Sequence, residues 1–229
     1  SDDADVVDLW HMVTAWLKKN DETSLSWALD GVLALALSRS EMAPMLVEHI
    51  SRNTTDENIR QAALEILTPL TENLKITWDE LQDYTLPTLG YDDNGQRKIF
   101  VCDRCFTAVI TPFLTLEITD ADGVLVAIPP EEDLGGADGL TDEMEQVVKR
   151  FYNMQKALDA VVAVQSSRLR LFMLSGRNWD TAMWQRLFVY NPILRKFSAT
   201  LVWGVYEDQV LTDTFICNIN DGSFSRVNG

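Results

Sequence analysis

Apolar side chains return every three or four positions through the first 75 residues, and in several runs after residue 95 they return every second position. The first interval matches one face of a helix and the second one face of a strand, so this chain must mix both elements. The helical interval covers more of the sequence, which predicts an α+β fold that is mostly α. Val6, Leu9, Trp10, Val13, Trp16 and Leu17 form one stripe of a first helix that ends at Asn20-Asp21. Ser24 to Ser38 is apolar nearly all round, which predicts a helix sandwiched by others. Gly31 within it predicts a close helix crossing, because glycine costs a helix about 1 kcal/mol against alanine. Pro44 suits the first turn of a third helix. Thr54 with Glu57 reads as a capping box that opens a fourth helix through Ile59, Ala62, Ala63, Ile66 and Leu67. Residues 1–75 are therefore expected to form two αα-hairpins.

Residues 76–229 change character. Thr77 with Glu80 reads as a second capping box, opening a short helix that ends before Pro87. Asn94-Gly95 is a strong hairpin-turn dipeptide. Strand-like runs follow at 98–102, 106–110, 114–118 and 124–128, with Asp122-Gly123 turning between the last two, so residues 97–129 are expected to form a small antiparallel β unit. Residues 129–139 read as a polar loop rich in Pro and Gly. Thr141 then caps a helix over 141–174, whose apolar face runs from Met144 to Val162; at 1.5 Å per residue this spine is about 50 Å long. Ser175-Gly176 stops it. Over 179–229 the pattern predicts short helices, one of them opened by Asn191-Pro192, and a terminal hairpin turning at Glu207-Asp208.

Composition narrows the classes of function. The chain has 229 residues, 46% of them hydrophobic, and three cysteines. The longest apolar stretch, Trp27 to Leu37, is broken by Asp30 and falls well short of the roughly 20 residues that span a bilayer. The opening Ser1-Asp2-Asp3 lacks the basic start of a signal peptide, and three cysteines make no disulfide framework, so the cytoplasm is the expected compartment. The net charge is −16: −7 over residues 1–75, −10 over 76–140 and +1 over 141–229. Such a surface repels phosphate backbones, which argues against nucleic acid as a partner of the whole chain.

The chemical motifs are incomplete. Cys102-Asp103-Arg104-Cys105 has the spacing of half a zinc site, but there is no second pair, and strand-like flanks deny it the helix N-terminus of a redox motif. It reads as two ordinary thiols at a strand turn, so no metal and no cofactor are expected. Asp120, Asp122 and Gly123 begin like a calcium loop, but apolar Val124, Val126 and Ile128 occupy the positions that would need oxygen ligands. His11 and His49 have no matched nucleophile. The last block interleaves Arg168, Arg170, Arg177, Arg186, Arg195 and Lys196 with Trp179, Trp184, Phe188 and Tyr190. That mixture fits either packing within the chain or a partner surface.

The order of these motifs resembles a bacterial family, domain of unknown function 4132, found in large proteins labelled molybdate metabolism regulators. The resemblance is carried by Asp83, Pro87, Thr88, Leu89, Gly90 and Gly95, then by Asp120, Asp122, Gly123, Ile128 and Pro129. It continues through Gln165, Arg168, Leu169, Arg177, Trp179, Asn191 and Pro192 and ends at Leu201, Val202, Trp203 and Gly204. Tyr91 departs from the pattern, as do Cys102 and Cys105. Trp203-Gly204-Val205 is not the Trp-Gly-Arg of modules that some members carry. The resemblance implies no catalytic residue, and no anion cradle here supports the molybdate label. Upstream, "NIRQAALEIL" resembles the second helix of HEAT-type repeats, so residues 1–75 read as a HEAT-like segment ahead of a domain over 76–229.

The function these features imply is that of a non-catalytic binding or scaffolding module. Its partner would be another protein or the rest of a larger bacterial chain. The alternative is a hydrolase or transferase that clamps an anionic substrate between the β unit and the long helix. Asp83, Arg168, Arg177, Trp179 and Trp203 form the candidate cluster. A regulator touching DNA through the last block is a third reading.

Overall fold

The computed structural model describes residues 2–131, 141–218 and 223–227. The fold is α+β and mostly α, with two small antiparallel sheets and one helix of 34 residues. The chain packs as two units. One comprises residues 1–89 with 152–164, and the other 90–151 with 165–229. The long helix therefore serves both, its middle in the first and its ends in the second.

The first unit is helical: α1 (Asp3–Lys19), α2 (Glu22–Leu37), α3 (Ala43–Asn53), α4 (Glu57–Leu74) and α5 (Trp78–Tyr84), joined by the middle of α6 (Asp142–Ser175). Helix α1 packs on α2, and α3 on α4, giving two αα-hairpins with α2 also against α4. Fully buried Val7, Val13, Val32, Leu35, Leu46 and Leu158 make the core. At the α1–α2 crossing a Cβ on Gly31 would lie 2.4 Å from Val13 Cγ2, so only glycine lets the two backbones come this close. Asn153 of α6 donates to Asp2 Oδ2 at 2.8 Å, and Lys156 pairs with Asp8.

Two expectations for this unit are corrected. Helix α2 is not sandwiched all round: Trp27, Leu33 and Leu37 are exposed. The cap of α4 is Asp56, whose Oδ1 accepts from Ile59 N at 2.9 Å, and not Thr54. Thr54 instead closes α3 through its own N–H to Ile50 O, while its hydroxyl accepts from Asp56 N. The Thr77–Glu80 capping box forms as expected, with both reciprocal bonds made.

The second unit holds β1 (Gln96–Val101), β2 (Arg104–Ile110) and β3 (Leu116–Thr119), ordered β1-β2-β3. Alternation buries Ile99, Val101, Phe106, Ala108, Ile110, Leu116 and Ile118 on one face. Asn94-Gly95 does not join two strands. It lies in a turn leading into β1, where Asp92 Oδ1 accepts from the N–H groups of Asn94 and Gln96. The β1–β2 hairpin turns at Cys102-Asp103, with Cys102 at φ 51°. Residues 124–128 do not form a strand: beyond one bridge, Thr119 to Leu125, they leave the ladder, and Val124 and Leu125 are exposed. Most of the loop expected over 129–139 lies outside the described residues.

Thr141 caps α6 by accepting from Met144 N, and Gly176 ends it at φ 67°. Then come α7 (Thr181–Gln185), a π-helical stretch (Arg186–Tyr190) and α8 (Leu194–Ser198). Asn191 Oδ1 accepts from Ile193 N and Leu194 N, both at 3.0 Å. The second sheet, β4 (Val202–Glu207), β5 (Val210–Cys217) and β6 (Phe224–Arg226), is also antiparallel. Its hairpin turns at Asp208-Gln209, where both residues have positive φ, the pattern of a type I′ turn.

Candidate functional site

Four of the five residues singled out from the sequence converge in the second unit. Trp179 lies 5.5 Å from Phe172 and 6.3 Å from Trp203 between ring centroids, and the Arg168 and Arg177 guanidinium carbons sit 5.1 and 5.5 Å from the centre of Phe172. Asp83 belongs to the helical unit, where it is buried near the end of α5.

These residues form one edge of a larger aromatic cluster. Phe188 and Trp203 are 4.5 Å apart, and Trp184 touches Trp203, Phe215 and Phe224 at 5.3–5.7 Å, mostly edge to face. Such pairs contribute about 0.5–1.5 kcal/mol each beyond simple burial. The local sequence explains the convergence. The stretch from α7 into the π-helical turn places Trp184 and Phe188 on one side. The β4–β5 register sets Trp203 opposite Phe215, and the β5–β6 register sets Cys217 opposite Phe224. Trp203 donates its indole N–H to Ser198 O at 3.1 Å, fixing the ring between α8 and β4. The Cys217 thiol is buried at the end of this face, and burial raises its pKa. The arginines lie over an aromatic ring, so their charge stacks on π density.

The outer face of the same sheet was missed by the sequence reading. Strand alternation sends Trp203 and Phe215 inward and Val202, Tyr206 and Ile216 outward, and the register shift between Val205 and Tyr206 brings Leu211, opposite Tyr206, to the same outer side; all four outer residues are exposed. Val202 pairs with Ile216 and Tyr206 with Leu211 across the strands, so the four side chains run as one strip. Gly204 sits under that strip: a Cβ there would meet Leu211 Cδ1 at 2.8 Å and Tyr206 Cε2 at 2.9 Å. The end of α6 adds exposed Leu171, Met173 and Leu174 to the surface of this unit. A signal was present in the sequence, since "LVWGVY" is apolar at odd and even positions alike.

Two concavities open on the helical unit. One, of about 460 Å³, lies between α1 and α2 and is lined by Leu9, Trp16, Trp27, Asp30, Gly31 and Ala34. The other, of about 230 Å³, has Leu17, Leu25 and Ile50 in its lining beside His49, Asn53 and Asp56. Burial lowers the His49 pKa. Among the described residues no group of His, Cys, Asp and Glu is placed to hold a metal ion, and no helix is long and apolar enough to cross a membrane. Cys102 is exposed at the β1–β2 turn, and Cys105, one residue into β2, is half-buried.

Residues 137–229, which include the aromatic cluster and the second sheet, match the family described as a domain of unknown function (DUF4132). The chain is also similar to uncharacterized protein YehI of Escherichia coli (strain K12), with 28% identity over 230 residues. That alignment covers 96% of this chain and 18% of the relative, so the chain spans less than a fifth of the relative's length. No solved structure matches the chain.

Proposed function

We propose that this chain is a non-catalytic protein-binding module of a larger bacterial, cytoplasmic protein, and that the outer face of the β4–β5–β6 sheet is a principal contact surface. One observation carries the reading: Val202, Tyr206, Leu211 and Ile216 form a paired, exposed apolar strip on the face of the sheet opposite the aromatic cluster. Contiguous apolar surface is uncommon on proteins that work alone, and a flat strip on a braced sheet offers area at little ordering cost. The much greater length of the similar protein supports a place within a longer chain. Free cysteine thiols fit a reducing compartment. The two αα-hairpins are read as HEAT-like units that present a second surface. The regulator label of the resembled family is not part of this reading.

The test is site-specific photo-crosslinking in the protein's own cells. A photoreactive residue replaces Leu211 in one strain and exposed Lys98 of β1 in another. Discrete protein adducts at 211 that exceed those at 98, and that vanish with Tyr206→Glu, are expected. Equal or absent adducts at the two positions would refute the sheet as a contact surface.

A further inference from the structure

The groove between α1 and α2 combines features that an apolar occupant alone does not satisfy. Trp16 and Trp27 face each other across it with centroids 5.9 Å apart and planes inclined at 59°. Leu9 and Ala34 give it apolar walls, and Gly31 forms part of its floor. A Cβ on Gly31 would approach Trp16 Cζ3 to 3.3 Å, so the glycine lets this indole lie down against the helix. Asp30 is the one charged residue in the lining. It is exposed, and its carboxylate makes no hydrogen bond or ion pair with the described residues. On α1, Asp5, Leu9, Met12 and Trp16 share a stripe, so the acidic start of that helix continues the line of the groove.

The occupant follows from these groups. A purely apolar side chain would bury the indoles but strip water from Asp30 and return nothing, a penalty specific to uncompensated charge. An anion would meet Asp30 and the net −7 of residues 1–75. An alkylammonium answers every part. Its carbon stem lies along Leu9 and Ala34, its charge rests on the indole faces, and Asp30 balances it from the rim. We infer that the α1–α2 groove binds an alkylammonium side chain, of the lysine or N-methylated lysine type, presented by a basic protein partner. This site belongs to the helical unit and the sheet strip to the other, and the inference stands whether or not that strip binds anything.

The probe is tetramethylammonium chloride, titrated into the purified chain with chloride held constant. Indole N–H resonances are followed by two-dimensional NMR and assigned with Trp16→Phe and Trp27→Phe. The Trp16 and Trp27 signals are expected to shift together and saturate, while the other indoles stay still. The neutral isostere 3,3-dimethylbutanol, at the same concentrations, is expected to leave them in place. Trp27→Ala removes one ring face and lowers affinity roughly two- to thirtyfold. Asp30→Asn lowers it about two- to fivefold, the span of an exposed ion pair. Both residues are exposed, so neither change threatens the core. A neutral isostere that shifts the same signals as strongly, or an affinity unchanged in Asp30→Asn and Trp27→Ala, would overturn the assignment. So would an absence of saturable shifts.

Discussion

Replacing Gly31 by alanine sets two effects of opposite sign against each other at one atom. Alanine is the better helix former by about 1 kcal/mol, so on propensity alone Gly31→Ala stabilises α2. The crossing says otherwise. The new Cβ would lie 2.4 Å from Val13 Cγ2, whereas carbon atoms pack at about 3.5–4.0 Å, so a gap of roughly 1.1–1.6 Å must open. Val13 cannot swing aside. It is fully buried, and a β-branched side chain in a helix has essentially one rotamer. The adjustment therefore falls on the α1–α2 spacing itself, and overpacking of this kind costs about 1–3 kcal/mol. Net of propensity, Gly31→Ala is expected to destabilise the helical unit by up to about 2 kcal/mol and lower Tm by up to about 8 °C. Urea and thermal unfolding measure this. The double variant Gly31→Ala with Val13→Ala supplies the control. Trimming Val13 makes room for the new methyl, so the pair should cost less than the sum of the single changes by 1 kcal/mol or more. A Gly31→Ala chain that melts higher than the parent would show that the crossing is looser than described and would refute the argument.

Two other outcomes follow from burial. His49 is held below its ordinary pKa of 6.5 by desolvation, so the folded state favours the neutral ring. That contribution is complete above about pH 6.5 and is lost as pH falls toward the depressed native pKa, because the unfolded chain then binds the extra proton. The urea midpoint should accordingly drop between pH 7.5 and 5.5, and His49→Gln should flatten the decline; equal slopes in both chains would contradict it. The three thiols should separate by rate with a thiol-reactive disulfide reagent. Cys102 reacts fast, and Cys217, buried with a raised pKa, reacts mainly after unfolding. Cys102→Ser removes the fast phase, and a Cys217 that reacts as quickly as Cys102 in the native chain would contradict the burial described.

Local chemistry decided which elements could be read in advance. Thr77 and Glu80 satisfy each other within four residues, so their cap needs no tertiary support. Thr54 and Glu57 show the same spacing, yet Asp56 stands one residue from the helix start and its carboxylate takes the Ile59 N–H. A spacing rule does not see that competitor. Turns failed for a related reason. Asn94-Gly95 carries the favoured dipeptide, but Asp92 gathers the surrounding N–H groups into a turn that enters a strand. The hairpins turn at Cys102-Asp103 and Asp208-Gln209, where non-glycine residues hold positive φ because strand pairing on both sides demands it. Residues 124–128 alternate as a strand should, but alternation describes only a face, and a strand also needs a neighbour along its whole edge.

Binding surfaces pose a harder reading problem than the fold. A leucine or tryptophan contributes the same periodic signal whether it faces the core or a partner, which is why α2 reads as enclosed although Trp27, Leu33 and Leu37 face outward. The arginine and aromatic residues of the last block stood out by composition, and the structure gathers Arg168, Arg177, Trp179 and Trp184 around Phe172 and Phe188, whereas Arg195 donates to Asp93 O and Tyr190 is exposed. Those around the two phenylalanines are committed to one another. What separates a partner-facing apolar residue from a core one is the company it keeps. A core stripe excludes uncompensated charge, so a lone carboxylate inside an all-round apolar helix marks where the stripe stops facing inward. Asp30 has that position in α2, between Trp27 and Ala34, and it lies on the rim of the groove the helix makes with α1. The same logic assigns no ligand to the β4–β5–β6 strip, where no charge breaks the apolar run. That surface fits a broad apolar contact, and the α1–α2 groove fits a single cationic side chain.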